Sequence, residues 1–352
     1  MEDILNILQS SYGLQIQNYD DIGGQTLLET DHGLYYFYSY PAGYRSKRKF
    51  VERVKKHLET TSGFIILPFV ETQGKQPFVT NEDELFFLHP GVREAVLEDP
   101  AYLTGQALAE FHQATVTLPK DRLSSSYVSL GTWPNTWKKR LGGYDQYRDE
   151  VDGKRGVIQP FDEYLLKSYS YVSALGDTAV RYLNGTGYQQ IAKQTPALGR
   201  IAYQNFDKGY ILFDEGGQRY LAGPYSWVVD MRSRDIGQWI KARIWDDGWN
   251  AGDTLRFLDG YNSVAPLLPE EYPMIYALLL YPGRFLRMVD LYHGLPLEER
   301  EQLSTEAWET GAEEELMAME RAIREFPLLL RESYGIEIPV VEWFHREPIG
   351  QA

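Results

Sequence analysis

Apolar positions along this chain change their spacing several times, and each change marks an element. Ile4, Leu5 and Leu8 share one face at helical spacing, predicting a short amphipathic helix over residues 2–11 that ends at the Tyr12-Gly13 turn. β-Branched and aromatic residues then dominate. Thr26 to Thr30, a turn at Asp31-His32-Gly33, and Leu34 to Tyr40 read as a hairpin. Helical spacing returns from Lys47 to Glu59, with Phe50, Val54, His57 and Leu58 as the apolar stripe. Phe64 to Glu71 and Gln76 to Thr80, joined at Gln73-Gly74-Lys75, and then Leu85 to Leu88 read as three more strands closing at His89-Pro90-Gly91. One helix on a small antiparallel sheet is the expected architecture of a lobe over residues 1–90.

From Tyr102 the spacing turns helical, starting with Gly105 to Ala114, and it stays so to the end except around 200–230. There, Ile201 to Phe213 and Arg219 to Asp230 read as hairpin-like insertions that carry loop residues suited to chemistry. The second lobe is therefore expected over 91–352, mostly helical with inserted β-hairpins, and the fold class is α+β. Glu298 to Glu325, with Glu313-Glu314-Glu315 set among Leu303, Ala307, Leu316, Met319 and Ile323, reads as an amphipathic helix with an acidic, solvated face.

Composition narrows the function. With 352 residues, 43% of them hydrophobic, the chain can bury a large core. A formal charge of −15 disfavours nucleic-acid wrapping or attachment to anionic lipid, both of which need concentrated Lys and Arg. With no cysteine, disulfides and thiolate metal sites are excluded. The start, Met1-Glu2-Asp3-Ile4-Leu5, lacks the basic and apolar regions of a secretory signal, so the chain is expected to stay in the cytoplasm of the producing cell. Apolar runs such as Ala277 to Leu280 fall far short of the roughly 20 residues that span a bilayer, so no membrane span is expected. The 26 tyrosines, clustered at Tyr35 to Tyr40 and at Tyr164, Tyr169 and Tyr171, fit either a core or an assembly surface.

Several phrases resemble, in order and spacing, the aminoglycoside phosphotransferase-like (protein-kinase-like) family and its spore-coat branch of the CotS and YutH type. They are Ala107-Leu108-Ala109-Glu110-Phe111-His112, Tyr203-Gln204-Asn205, Val228-Val229-Asp230, Arg234-Asp235-Ile236 and Leu280-Tyr281-Pro282-Gly283-Arg284-Phe285. The resemblance implies a two-lobed kinase-like fold, ATP and Mg²⁺ as cofactors, spore coat proteins as partners and deposition in the spore coat. Phosphoryl transfer in such folds needs a strand lysine, a helix glutamate that orients it, a base in an H-x-D-x-x-x-x-N loop and a metal-binding aspartate.

With Asn205 as the loop asparagine, the base position is Arg200 and the loop histidine position is Leu198. Arginine stays protonated at neutral pH and cannot serve as a base. Tyr38 stands at the strand lysine position, with Lys47 or Lys49 as substitutes that could reach the site. The glycines that would cover phosphates reduce to Gly23-Gly24, which is equally an ordinary turn. Asn205 and Asp230 are the candidate nucleotide and Mg²⁺ ligands; as alternatives, Asn205 is a turn-stabilising amide and Asp230 an ordinary strand-end acid. Asp235 is implied to brace the loop, pairing with Arg200 or Arg234, and Glu52, without a lysine to orient, reads as a solvated helix position. His112 reads as a satisfied core histidine, and His89 and His293 suggest no metal site. The expectation is a catalytically impaired, pseudokinase-like structural or scaffold protein that retains nucleotide binding or has lost it. The alternative is an atypical ATP-dependent small-molecule or protein kinase with a base recruited from Asp207 or Asp214.

Overall fold

A computed structural model describes residues 2–22, 25–118, 127–153, 158–194, 200–302 and 306–344. Packing gathers the chain into two compact units. The first takes Met1–Val128, Ala197–Asp235 and Arg256–Pro266; the second takes Ser129–Pro196, Ile236–Leu255 and Leu267–Ala352.

The first unit opens with α1 (Glu2–Tyr12), which buries Leu8 and Tyr12 against Leu14, Leu28, Phe37, Phe86 and Leu88. Strands β1 (Ile16–Ile22), β2 (Gln25–Thr30) and β3 (Gly33–Pro41) pair antiparallel in sequence. A 3₁₀ turn (Ala42–Lys47) leads into α2 (Arg48–Thr61), whose stripe Phe50, Val51, Val54 and Leu58 is buried. After β4 (Ile65–Ile66), β5 (Val79–Asn81) and β6 (Glu84–Pro90) complete a five-stranded sheet ordered β1-β2-β3-β6-β5. Helix α3 (Pro100–Thr115) follows, with Pro100 in its first turn and the Asp99 carboxylate accepting the Tyr102 amide, the arrangement that best satisfies a helix start.

Two differences from the sequence reading have local causes. Strand β1 was not expected, because Ile-Gln-Asn-Tyr-Asp-Asp-Ile lacks a sustained apolar alternation; at the sheet edge only one side needs a partner, and charged positions there deter further pairing. The strand expected over Phe64 to Glu71 shrinks to Ile65–Ile66, and it joins a different sheet, parallel to Arg219–Leu221. Pro68, which has no amide hydrogen to give a ladder, lies just beyond it.

The insertion around 200–230 is two nested antiparallel pairs rather than two separate hairpins. β7 (Arg200–Tyr203) pairs with β10 (Trp227–Asp230), and inside them β8 (Ile211–Phe213) pairs with β9 (Arg219–Leu221).

The remaining helices are α4 (Trp133–Gly153), α5 (Pro160–Gly185), α6 (Tyr188–Gln194), α7 (Ser233–Asp247), α8 (Ala251–Val264), α9 (Tyr272–Leu280), α10 (Gly283–Gly294), α11 (Leu297–Gln302) and α12 (Glu306–Tyr334). In the second unit α9 is the buried centre: Tyr272 and every residue from Met274 to Leu280 are withdrawn from solvent. Tyr276 stacks on Phe326 of α12, and just past the end of α9 Tyr281 stacks on Trp137 of α4. The acidic segment, expected as one helix over Glu298 to Glu325, is shared between α11 and α12, and α12 turns Ala312, Met319, Ile323 and Phe326 inward. Glu313 and Glu314 face solvent as expected, but Glu315 is buried. Leu303 lies outside the described residues.

In the first unit α3 meets α8 at glycines. A Cβ at Gly105 would come within 2.1 Å of the Phe257 carbonyl oxygen, and one at Gly260 within 2.0 Å of the Tyr102 carbonyl oxygen, so only glycine permits this approach. Tyr36, Tyr38 and Tyr40 are buried, which places most of the first tyrosine cluster in the core rather than on a surface. Among the described residues no helix is long and apolar enough to cross a membrane.

Candidate functional site

Pairing of β7 with β10 sets Arg200 opposite Asp230 and Tyr203 opposite Trp227, so Arg200, expected in a loop, stands on a strand beside the candidate metal aspartate in the first unit. Leu198 lies outside the described residues. Asn205, just past β7, is exposed.

Asp230 is fully buried, and both its oxygens are engaged. Oδ1 accepts the Met231 amide at 2.8 Å, and Oδ2 is paired with Arg234 Nη1 at 2.6 Å. Arg234 is held in turn by its Nε donating to the Gln204 carbonyl at 3.0 Å. The guanidinium therefore ties the aspartate at the end of β10 to the segment leaving β7. Magnesium takes oxygen ligands in a near-octahedral shell. The donor set here does not fit that demand, because the buried carboxylate already holds a cationic side chain. Among the described residues no group of three His, Asp or Glu converges to hold a metal.

A second cation lies within the field of Arg234. Lys47, at the end of the 3₁₀ turn, is buried; its Nζ donates to the Tyr225 carbonyl at 2.6 Å and lies 4.2 Å from the centre of the Tyr44 ring. Burial first, and the Arg234 charge second, push its ammonium down to about 7. The Tyr44 hydroxyl donates to Gln204 Oε1, so both cations connect to the same glutamine.

Asp235, in the first turn of α7, forms a separate buried network. Its oxygens accept the Tyr203 amide at 2.9 and 3.0 Å, and Oδ2 is 3.0 Å from His112 Nε2. His112 Nδ1 in turn lies 2.8 Å from the Tyr261 hydroxyl. Burial pushes the Asp235 carboxyl well above the usual carboxylate range, against the pull of the Tyr203 amide and Arg234. The arginine pairing expected for Asp235 thus belongs to Asp230; Asp235 takes histidine and backbone instead. His112 is a satisfied core histidine, as the sequence suggested.

Tyr38 points into the core. Its hydroxyl is hydrogen bonded to Gln25 Oε1 and to the Gly209 carbonyl at 3.1 Å, and burial raises its pKa well above the ordinary value, so it stays neutral. Glu52 is exposed and pairs with Arg48 at 2.9 Å, one turn away on the same helix. Lys49 is also exposed. The two acids considered as recruited bases are engaged in turns. Asp207 accepts the Lys208 amide at 2.7 Å, and Asp214 accepts the Gly216 and Gln218 amides at 2.9 Å together with the Tyr220 hydroxyl, contacts that hold its carboxyl below the usual range.

The structure thus brings together Asp230, Arg234, Gln204, Tyr44 and Lys47, of which the sequence reading had singled out Asp230, Lys47 as a substitute, and Arg234 as a partner for Asp235. The spacing of Asp230 and Arg234 by four residues was visible in the sequence, but a strand was expected to end at Asp230, where helical spacing carries no meaning. Tyr44 and Gln204 had no local signal at all, being 160 residues apart.

Comparisons with known proteins agree with this fold. Residues 5–326 match the family model described as "Spore coat putative kinase YutH". The endospore coat-associated protein YutH of Bacillus subtilis is 27% identical over 226 residues, covering 61% of this chain and 63% of that protein. The chain therefore aligns with less than two thirds of that relative's length. Spore coat protein S of the same organism is 22% identical over 281 residues, covering 76% of each. Among solved structures, an aminoglycoside phosphotransferase from Alicyclobacillus acidocaldarius superposes with a TM-score of 0.59 at 18% identity, covering 90% of this chain and 94% of that one, a likeness of fold.

Proposed function

This chain belongs to the YutH family of spore-coat kinase-like proteins, and on that premise we propose that it is a catalytically impaired kinase-fold protein serving as a structural or scaffold component of the spore coat. The observation that carries the proposal is the Asp230–Arg234 pair: the carboxylate that would hold a divalent ion is buried and engaged by a guanidinium. Two further features support it. Arg200 stands where a proton acceptor is needed, and loss of a general base alone lowers a rate by about 10²–10⁴-fold. Tyr38, in the place of the strand lysine, is neutral and faces Gln25 and Gly209.

The same proposal treats residues 1–90 as the sheet-rich lobe and 91–352 as the helical one, with other coat proteins as partners and the spore coat as destination. Asp235 keeps a bracing role, because its carboxylate fixes the Tyr203 amide on β7. The test is transfer of radiolabelled γ-phosphate from ATP with Mg²⁺, to the protein itself and to a spore-coat extract. No transfer above a protein-free control is expected. Transfer that Asp230→Ala abolishes would overturn the proposal.

A further inference from the structure

We propose that the outward face of α2 binds the outward face of α12 on a second copy of this chain, joining copies head to tail. Residues 45–56 carry seven cations and one acid, Glu52, in a chain whose formal charge is −15, so the excess is local. Glu52 pairs with Arg48, and among the described residues Lys49 and Lys56 form no ion pair. Both are exposed on the side of α2 opposite its buried stripe, with half-buried Arg53 between them. Lys49 also sits in the first turn, where the helix dipole disfavours a cation and no acid is present. On α12, Glu306 to Glu315 supply five acids and no base; its first cations, Arg321 and Arg324, come later and pair with Glu325 and Glu320. Glu306 and Glu313 are exposed, with half-buried Glu309 between them. None of the three forms an ion pair among the described residues.

The two stripes match in spacing. Lys49, Arg53 and Lys56 follow one another at four and three residues; Glu313, Glu309 and Glu306, taken backwards, do the same. Each stripe spans about 10 Å of helix, so antiparallel apposition sets Lys49 against Glu313, Arg53 against Glu309 and Lys56 against Glu306. Like charges at these spacings repel within each helix, and an opposite stripe relieves both helices at once. Met317, 72% exposed one turn past Glu313, adds an apolar side chain to the acidic face. Two chains of charge −15 repel at long range, but at about 0.15 M ionic strength fields decay over about 8 Å, so the local match decides. The two faces differ, so the contact is heterologous: every added copy leaves one face of each kind open and the assembly extends. The inference goes beyond the scaffold reading and does not depend on the loss of transfer, since self-association is measured without nucleotide.

The test is sedimentation velocity of the full chain up to about 100 μM, in about 0.15 M and about 1 M NaCl. The sedimentation coefficient is expected to rise with protein concentration at the lower salt and to rise much less at the higher. The double variants Lys49→Glu with Lys56→Glu, and Glu306→Lys with Glu313→Lys, should each weaken association at least about tenfold, because like charges then face each other. An equimolar mixture of the two should associate again, since every contact between unlike variants is restored. Where a reversal fails to fold, Lys49→Gln with Lys56→Gln tests the same face and should weaken association about threefold or more. A chain that stays monomeric at the lower salt, association indifferent to salt or to these substitutions, or a mixture of folded variants that stays monomeric would each overturn the proposal. Binding of poly-L-glutamate by a chain that stays monomeric would assign the α2 face to a different acidic partner and overturn it too.

Discussion

Two lysines of the described residues turn their ammonium groups inward, Lys47 buried in the first unit and Lys241 half-buried in the second, and they are treated in opposite ways. Lys241 donates to the Leu278 carbonyl at 3.1 Å and to the Tyr281 carbonyl, adding a second donor to acceptors that already take the Tyr281 and Gly283 amides. Its field includes a counter-charge: Glu315 holds the ammonium up, while burial, the larger effect, and Arg284 bring it down to about 8. Lys47 also donates to a carbonyl, but its charged neighbour is another cation. Lys241 has an acid in its field and Lys47 has a like charge, so the two buried ammonium groups differ in what their charge costs the fold.

The largest effect expected from a substitution that breaks this comparison is Lys241→Met. It removes one of the two donors to each of the Leu278 and Tyr281 carbonyls and one of the two cations acting on Glu315, and should cost about 2–3 kcal/mol in urea denaturation. A cost no larger than that of Lys47→Met would remove the distinction.

Glu315 gives an effect of similar size, through pH. Burial raises its pKa from the ordinary 4.5 to about 7, with Lys241 and Arg284 opposing. Between those two values the native state keeps a proton that the unfolded chain has released, so stability should fall as pH rises from about 4.5 to about 7, by about 3 kcal/mol in all. Melting temperatures of Glu315→Gln should lack this decline.

Lys47 gives the smaller converse. Its native pKa lies below its unfolded one, so the cost of its buried charge is full below about pH 7 and is relieved as pH rises from there toward 10.5. Lys47→Met should accordingly stabilise the protein by about 1–2 kcal/mol at pH 6, and by less at pH 9, once its lost hydrogen bond and ring contact are set against the gain. Smallest is Arg284→Ala. Its guanidinium lies 3.2 Å from the centre of the Trp245 ring, which is 38% exposed, and the loss should be about 1 kcal/mol in the same melts.

Most of the fold was legible because it rests on periodicity. α1, the β2–β3 hairpin and α2 follow directly from the spacing of Leu8, Leu28, Phe37, Phe50 and Val54. β1 was not, because an edge strand needs no apolar alternation, and neither was the partner of Ile65, because parallel pairing with Tyr220 across 155 positions leaves no local mark.

The site divides along the same line. Asp230 and Asp235 were named from phrases in the chain; what they touch was not legible there. The exchange of Arg234 from Asp235 to Asp230, and the capture of Asp235 by His112, depend on how β10, α3 and α7 pack, which no window of sequence contains. Glu315 was misplaced on the solvated face for a related reason: within Glu313-Glu314-Glu315 only the third is buried, in the field of Lys241 and Arg284, and the pattern of α12 alone cannot separate three adjacent acids.

The central claim is that Asp230 holds an arginine and not a metal. It is tested most directly by crystallising the protein with an ATP analogue and Mn²⁺ and locating manganese by its anomalous scattering. The account predicts Arg234 on Asp230 Oδ2 and no manganese within coordination distance of that carboxylate. Manganese bound to Asp230, with Arg234 displaced, would contradict it.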